Sequence, residues 1–403
     1  MNPKATARRA VHPSMVDFDQ TPFVAIWETT RACDLACRHC RAEAIRDALP
    51  GELSPAEGRA LLHDLAEMGT PICVLSGGDP AKRADLLDLV RYGTQAGMRM
   101  ATIPAATERL NPRLIEGLKD AGLAQMALSL DGPSAEVHDT FRNTPGTFER
   151  TLQGARWARQ AGLPLQINTT LSAYNYDHFD AIAELVNELG VVFWEVFFLV
   201  PMGRGRDVDQ LNGQEYEELF ARLAKLASQV DFVVKITEAP HYRRYLLQHR
   251  PHAASAGHPG GRPGVMHMPG GTIPRNLPDR MKRDFGHGGA IGLAPRGVNS
   301  GNGHLFVAYN GDVFPSGFLP RKCGNIRRTP LAQIYREHRV FQELRTPSMF
   351  KGKCGICSFK RVCGGSRARA YAMTGDYLAE EPFCAYDPPR QQSAPRAGHH
   401  AHA

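Results

Sequence analysis

Cys33, Cys37 and Cys40 stand in the run WETTRACDLACRHC, residues 27 to 40, with the spacing Cys-x3-Cys-x2-Cys. Soft thiolates packed this closely suit an iron-sulfur cluster, zinc or copper(I). Closed zinc sites and ordinary clusters take four protein ligands, so three leave one metal corner open. Two plainer readings stand beside this one: a zinc knuckle that borrows a ligand such as His39, or three chance cysteines. Near the C-terminus come Cys354, Cys357, Cys363 and Cys384, spaced Cys-x2-Cys-x5-Cys-x20-Cys. Taken alone, that set most readily holds zinc.

Nine cysteines, seven of them in these two groups, argue for metal ligation over disulfides in a chain expected to be cytoplasmic. No apolar run reaches ~18 residues and Met1 to Asp19 lacks a signal-peptide core, so neither a membrane span nor export is expected. At 403 residues and 42% hydrophobic content, a main domain with a smaller one is expected. The net charge of +7 suits an anionic small molecule or an acidic peptide. No basic stripe with interleaved aromatics points to nucleic acid.

The elements that must position the cysteines alternate along the chain. An apolar run over Phe23 to Thr30 predicts a buried strand leading directly into the cysteine loop. Ser54-Pro55-Ala56-Glu57 supplies an N-cap, a first-turn proline and a capping-box glutamate for a helix carrying Leu61, Leu62, Leu65 and Met68. Strands are then predicted over Ile72 to Leu75, Met98 to Ile103, Gln125 to Leu130, Leu165 to Leu171 and Val191 to Val200. Helices are predicted over Leu86 to Tyr92, Pro112 to Leu118, Thr147 to Ala161, Phe179 to Leu189 and Glu215 to Ala227. Glycines at Ala96-Gly97, Ala121-Gly122 and Ala161-Gly162 end helices where right-handed crossovers would return to the sheet. The fold class is therefore α/β: a partial (β/α)6 TIM-like barrel with its chemistry at the C-terminal strand edge.

Five segments follow. Residues 1–19 are expected to be a disordered arm, 20–230 the core, and 231–303 a connecting strand plus a Gly/Pro/His-rich loop or lid. Residues 304–387 form a small C-terminal domain and 388–403 a disordered tail. In the small domain, Asn310-Gly311 predicts a hairpin between His304 to Tyr309 and Asp312 to Phe314, and Leu331 to Leu344 a helix.

With its aromatic His39 before the last cysteine, the first array resembles the signature of the radical S-adenosylmethionine (SAM) superfamily. The resemblance implies a [4Fe-4S] cluster on Cys33, Cys37 and Cys40, whose open iron takes SAM, and an electron donor such as a flavodoxin or ferredoxin. Reductive cleavage of SAM then yields a 5'-deoxyadenosyl radical that abstracts a hydrogen atom. Gly77, Gly78, Asp79 and Pro80 stand where that family carries Gly-Gly-Glu-Pro, which contacts the SAM amino group; Asp79 is one methylene shorter. Family resemblance also nominates the strand-end residues Ser129, Asp131 and Asn168 as SAM contacts. Arg204 could hold a carboxylate, but in a glycine-rich turn it reads first as a solvated surface residue.

The C-terminal segment resembles the SPASM domain, which converts the zinc reading of Cys354, Cys357, Cys363 and Cys384 into an auxiliary [4Fe-4S] cluster. Its run from Cys363 to Cys384 is similar to radical SAM enzymes of haem d1 synthesis and of the alternative haem pathway, which act on porphyrin side chains. Ser366 stands where those haem-pathway enzymes carry another cysteine and Ser316 where many SPASM sequences carry one, so two clusters in all are expected, the auxiliary one fully ligated by protein and suited to electron transfer. Cys73 is expected to be core packing; Cys323 is left between an ordinary thiol and a ligand. The leading expectation is a monomeric radical SAM enzyme acting on a small anionic substrate, with a tetrapyrrole as candidate. The alternatives are a maturase of a ribosomally made peptide and a non-catalytic iron-sulfur electron carrier. No general acid or base is assigned.

Overall fold

The computed structural model describes residues 16–249 and 297–389. The outer parts of the expected arm and tail, and most of the expected loop or lid, lie outside those residues. Seven parallel strands run in sequence order across the sheet: β1 (Val24–Glu28), β2 (Ile72–Ser76), β3 (Arg99–Thr102), β4 (Gln125–Ser129), β5 (Leu165–Leu171), β6 (Phe193–Phe198) and β7 (Val233–Thr237). Between them come α1 (Pro55–Glu67), α2 (Leu86–Gln95), α3 (Pro112–Asp120), α4 (Ala135–Arg142), α5 (Thr147–Ala161), α6 (Phe179–Glu188) and α7 (Gly213–Ala227), with α8 (Tyr242–Gln248) after β7. The expected capping box is present: Ser54 accepts from the Glu57 amide while the Glu57 carboxylate accepts from Ser54.

One residue in two on each strand faces the helices. Ala25, Trp27, Cys73, Leu75, Met126, Leu128, Ile167, Trp194 and Val196 belong to one continuous buried cluster with Leu61, Leu65, Leu89, Ile115 and Ile182 from the helices. Cys73 is part of that packing, as expected. The intervening positions face the inside of the barrel and, on β4 to β7, include Gln125, Ser129, Gln166, Asn168, Glu195 and Lys235.

The C-terminal segment is built onto this sheet. Strand β8 (His304–Val307) pairs in parallel with β1, Val24 facing His304, and then turns through Asn310-Gly311 into β9 (Asp312–Phe314) and the two-residue β10 (Gly324–Asn325). The far edges curl toward each other, since Phe197 on β6 and Phe318 after the hairpin lie with ring centroids 6.2 Å apart.

The expected helix over Leu331 to Leu344 is two helices, α9 (Leu331–Glu337) and α10 (Arg339–Leu344). His338 adopts an extended conformation between them and its ring accepts from the Val340 amide. The break lets Ile334 and Tyr335 on one helix and Val340, Phe341 and Leu344 on the other all reach the core. Residues 16–19 of the expected disordered arm are packed: Val16 and Phe18 are buried with Phe23 and Ile72, and Tyr335 and Arg345 donate to the Phe18 carbonyl. Short helices α11 (Gly352–Ile356) and α12 (Arg367–Thr374) complete the small domain.

Candidate functional site

The cysteine loop leaves the C-terminal end of β1 and is held from three sides. From β2, the Gly78 and Asp79 amides donate to the carbonyls of Thr30 (2.8 Å) and Ala32 (2.7 Å). A Cβ at Gly78 would stand 2.7 Å from the Arg31 carbonyl oxygen and closer still to that of Ala32, so this approach requires glycine. From the loop after β6, Arg204 donates through Nε to the Cys37 carbonyl (2.8 Å) and through Nη1 to that of Ala44 (3.2 Å). Arg204 is thus a half-buried clamp on the cysteine loop rather than a solvated turn residue. Gly203 beside it, at φ +53°, has no room for a Cβ, which would lie 2.6 Å from the carbonyls of Cys40 and Arg41.

The third side is α4, a helix the sequence reading passed over. Its last residue, Arg142, places Nη1 3.7 Å from the Cys37 sulfur and Nη2 2.5 Å from Asp131 Oδ2. His39 Nε2 lies 3.8 Å from the same carboxylate oxygen, and its ring stacks on Phe141 at 4.2 Å, which stacks in turn on Tyr174 at 4.9 Å. Burial opposes ionisation of Asp131, but the Arg142 guanidinium outweighs it and holds the carboxyl below its usual range. Burial presses His39 down to about 3, so its ring is neutral and serves as a packing surface.

The expected SAM contacts fall into two groups. Asp79 is fully buried, with Oδ1 accepting from the Ala81 and Ala105 amides and Oδ2 from Thr107 (2.9 Å), which ties the β2 and β3 loops together. Asp131 is equally enclosed, its Oδ1 accepting from the Thr170 amide at 2.8 Å. Both carboxylates support the site from behind. Ser129 and Asn168, directly paired across β4 and β5, face the lumen, as do Gly77 and Gly78 at its rim.

The register continues that row: Asn168 faces Glu195 on β6, which faces Lys235 on β7. Glu195 Oε1 accepts from Lys235 (2.7 Å) and Thr237 (2.6 Å), and Oε2 from Gln166 (2.9 Å). A second lumen pair joins Arg41, next to Cys40, to Glu28 at 2.9 Å, with the guanidinium over the Phe306 ring at 4.6 Å. Sequence reasoning missed this polar wall. Its signal was a polar residue at alternate positions inside otherwise apolar strands, as in Leu165-Gln166-Ile167-Asn168 and Trp194-Glu195-Val196.

The second cysteine set faces one cleft, lined by Cys354, Cys357, Cys363 and Cys384. Each sulfur has a backbone N–H donor: Glu381 to Cys354 (3.3 Å), Phe359 to Cys357 (3.4 Å), Gly365 to Cys363 (3.3 Å), and Tyr386 to Cys384. Arg367 Nη2 adds a contact to Cys354 at 3.7 Å. Such donors match thiolates that carry a cluster's charge. Among the described residues no group of three or more His, Cys, Asp or Glu side chains is drawn together closely enough to hold a metal ion.

Cys323 does not line this cleft; its buried thiol donates to the Arg321 carbonyl at 3.2 Å. Ser366 caps α12 and donates to Glu238 at 2.5 Å, and the Ser316 hydroxyl accepts from the Phe318 amide. The small domain is bolted to β6 through Arg369, which pairs with Glu381 at 3.2 Å and donates to the Phe198 and Leu199 carbonyls.

Among the described residues no helix is long and apolar enough to cross a membrane. The model of the radical SAM superfamily matches residues 27–186, and that of an iron-sulfur cluster-binding domain, SPASM, matches residues 299–363. The chain is 39% identical over 374 residues to the AdoMet-dependent heme synthase of Methanosarcina barkeri (strain Fusaro / DSM 804), covering 93% of this chain and 99% of that protein. It is 26% identical to the pre-heme d1 synthase of Dinoroseobacter shibae (strain DSM 16493 / NCIMB 14021 / DFL 12), covering 90% and 85% respectively. In fold it is similar to Streptococcus suis SuiB crystallised with S-adenosylmethionine, with a TM-score of 0.65 at 14% identity over 91% of this chain and 78% of that one.

Proposed function

The chain belongs to the radical SAM superfamily and carries a SPASM iron-sulfur domain, and from that premise we propose that this enzyme cleaves SAM reductively and abstracts hydrogen from a side chain of an anionic tetrapyrrole on the way to haem. The observation that carries the proposal is the joining of an enclosed three-cysteine loop to a lumen walled by charged and amide side chains. Identity to an AdoMet-dependent heme synthase along nearly the whole chain supports a tetrapyrrole over a ribosomal peptide. Electron carriage alone would leave the lumen and the strand-end residues without a task.

Cys33, Cys37 and Cys40 would hold the first cluster, and Cys354, Cys357, Cys363 and Cys384 the second. When bound, the first cluster with SAM supplies hydrogen-atom abstraction from an unactivated C–H bond, and the second supplies a one-electron acceptor. The protein's own residues do the rest. Arg142 offsets the charge of the Cys37 thiolate, and its pair with Asp131 keeps that cation in place. Gly77, Gly78, Ser129 and Asn168 line the rim where SAM would lie, while Asp79 and Asp131 fix the rim's shape. Arg41 and Lys235 place two cations in the lumen, each held by a carboxylate, and give substrate carboxylates a polar surface to meet. The surrounding strands keep bulk water from the reacting atoms.

The test is anaerobic reconstitution followed by reduction in the presence of SAM. The proposal requires about eight irons per chain and release of 5'-deoxyadenosine. Fully loaded protein that yields none would overturn it.

A further inference from the structure

We infer that His241 donates a hydrogen bond to the auxiliary iron-sulfur cluster and thereby raises its reduction potential. The inference rests on Cys354, Cys357, Cys363 and Cys384 being that cluster's ligands.

His241 comes from the barrel side of the cleft, just after β7 and immediately before α8, and lines the same cavity as the four cysteines. Its side chain has no exposed area, and neither Nδ1 nor Nε2 has a hydrogen-bond partner. Buried polar groups are almost always paired, so an imidazole with both nitrogens orphaned calls for a partner that occupies the cavity. The ring is not free to turn away. It packs against Tyr216 at 5.1 Å and edge-on against Phe220 at 4.9 Å, two apolar surfaces that can satisfy neither nitrogen.

Most of the other polar groups of the cavity wall are already committed, the Nε of Arg244 being an exception. Arg244 donates to Glu217 and Gln248, Lys353 to the Cys384 carbonyl at 2.7 Å, and Lys360 to the Gly355 carbonyl at 2.6 Å. Backbone N–H groups serve the four cysteine sulfurs from the small-domain side. His241, with both ring nitrogens unpaired, supplies a side-chain donor from the barrel side, toward the cluster's sulfur atoms. A hydrogen bond to sulfur stabilises the more negative, reduced cluster, which favours accepting an electron from the barrel. His241 is a positioning residue in this reading and touches no substrate.

The experiment uses full-length protein with Cys33→Ala, Cys37→Ala and Cys40→Ala, so that only the auxiliary cluster contributes, with histidine labelled by nitrogen-15. Pulsed electron paramagnetic resonance of the reduced protein should show a histidine nitrogen coupled to the cluster, lost in His241→Phe. At a fixed ambient potential, His241→Phe should lower the reduced-to-oxidised ratio about tenfold, or ~59 mV for a one-electron couple, and His241→Asn, which keeps an N–H donor, should recover part of it. Absence of histidine coupling in the His241 protein would overturn the inference, even if His241→Phe fails to fold. So would coupling that survives in His241→Phe, or an unchanged ratio with iron intact. Failure of the His241 protein to bind iron would instead overturn the cluster assignment itself.

Discussion

Arg142 and Asp131 form a buried pair at 2.5 Å, and the same guanidinium reaches the Cys37 sulfur at 3.7 Å. One cation is thereby shared between a strand-end acid and a cysteine of the first array. Its fork geometry matters, because one nitrogen serves the carboxylate and another the sulfur. Arg142→Met should leave a buried carboxylate unpaired, at a cost of about 3–5 kcal/mol, and should empty the first cluster while sparing the second. Arg142→Lys should recover charge but not both contacts. Thermal unfolding and iron analysis check this, and unchanged iron content in Arg142→Met would contradict it.

Gly78 offers a steric test of the same loop. A Cβ there would collide with the carbonyls of Arg31 and Ala32. Gly78→Ala should therefore displace the cysteine loop and reduce 5'-deoxyadenosine formation by at least about tenfold, equivalent to about 1.4 kcal/mol at the barrier. Auxiliary-cluster absorbance in the Cys33→Ala, Cys37→Ala, Cys40→Ala background should be unaffected by it.

The bolt between the small domain and the barrel is the fully buried pair of Arg369 and Glu381. The Glu381 carboxylate also accepts from the Ser366 amide, and its backbone N–H donates to the Cys354 sulfur. Glu381→Gln should leave Arg369 with an uncompensated buried charge, at about 3–5 kcal/mol, and lower auxiliary iron before it affects the first cluster. Denaturant unfolding with iron analysis measures both effects.

Glu57 gives a pH dependence. Hydrogen bonds from Arg327, reinforced by the Ser54 amide, pull its carboxyl down to about 2 from 4.5. A depressed folded value means that its contribution is present above pH 4.5 and is lost as pH falls toward about 2. Because the pair is largely exposed, the effect should be small and weakened by salt. Glu57→Gln should flatten the acid limb of stability measured across that window at low salt, and 1 M salt should shrink the difference between the two proteins.

Local signals were the legible ones. The two cysteine arrays, the Ser54 capping box and the order of parallel strands follow from spacing and periodicity alone. Helix α4 was missed because Phe141 is the only apolar residue among its buried positions, although Ser134 caps it and Arg142 ends it beside Cys37. The shared cation, the Glu195 and Lys235 wall, and the pairing of β1 with β8 arise from contacts between distant segments, which no local pattern carries. The same limit explains Arg204: a glycine-rich turn looks solvated until its partner carbonyls at Cys37 and Ala44 are known.

The reaction proposed for this enzyme is hydrogen abstraction from a tetrapyrrole side chain within the polar lumen. It is tested most directly by incubating the reduced, fully loaded enzyme with SAM and a carboxylate-bearing porphyrin precursor deuterated on its side chains. Deuterium in the 5'-deoxyadenosine recovered is the predicted result. Continued SAM cleavage with no deuterium transferred from any of those positions would contradict it.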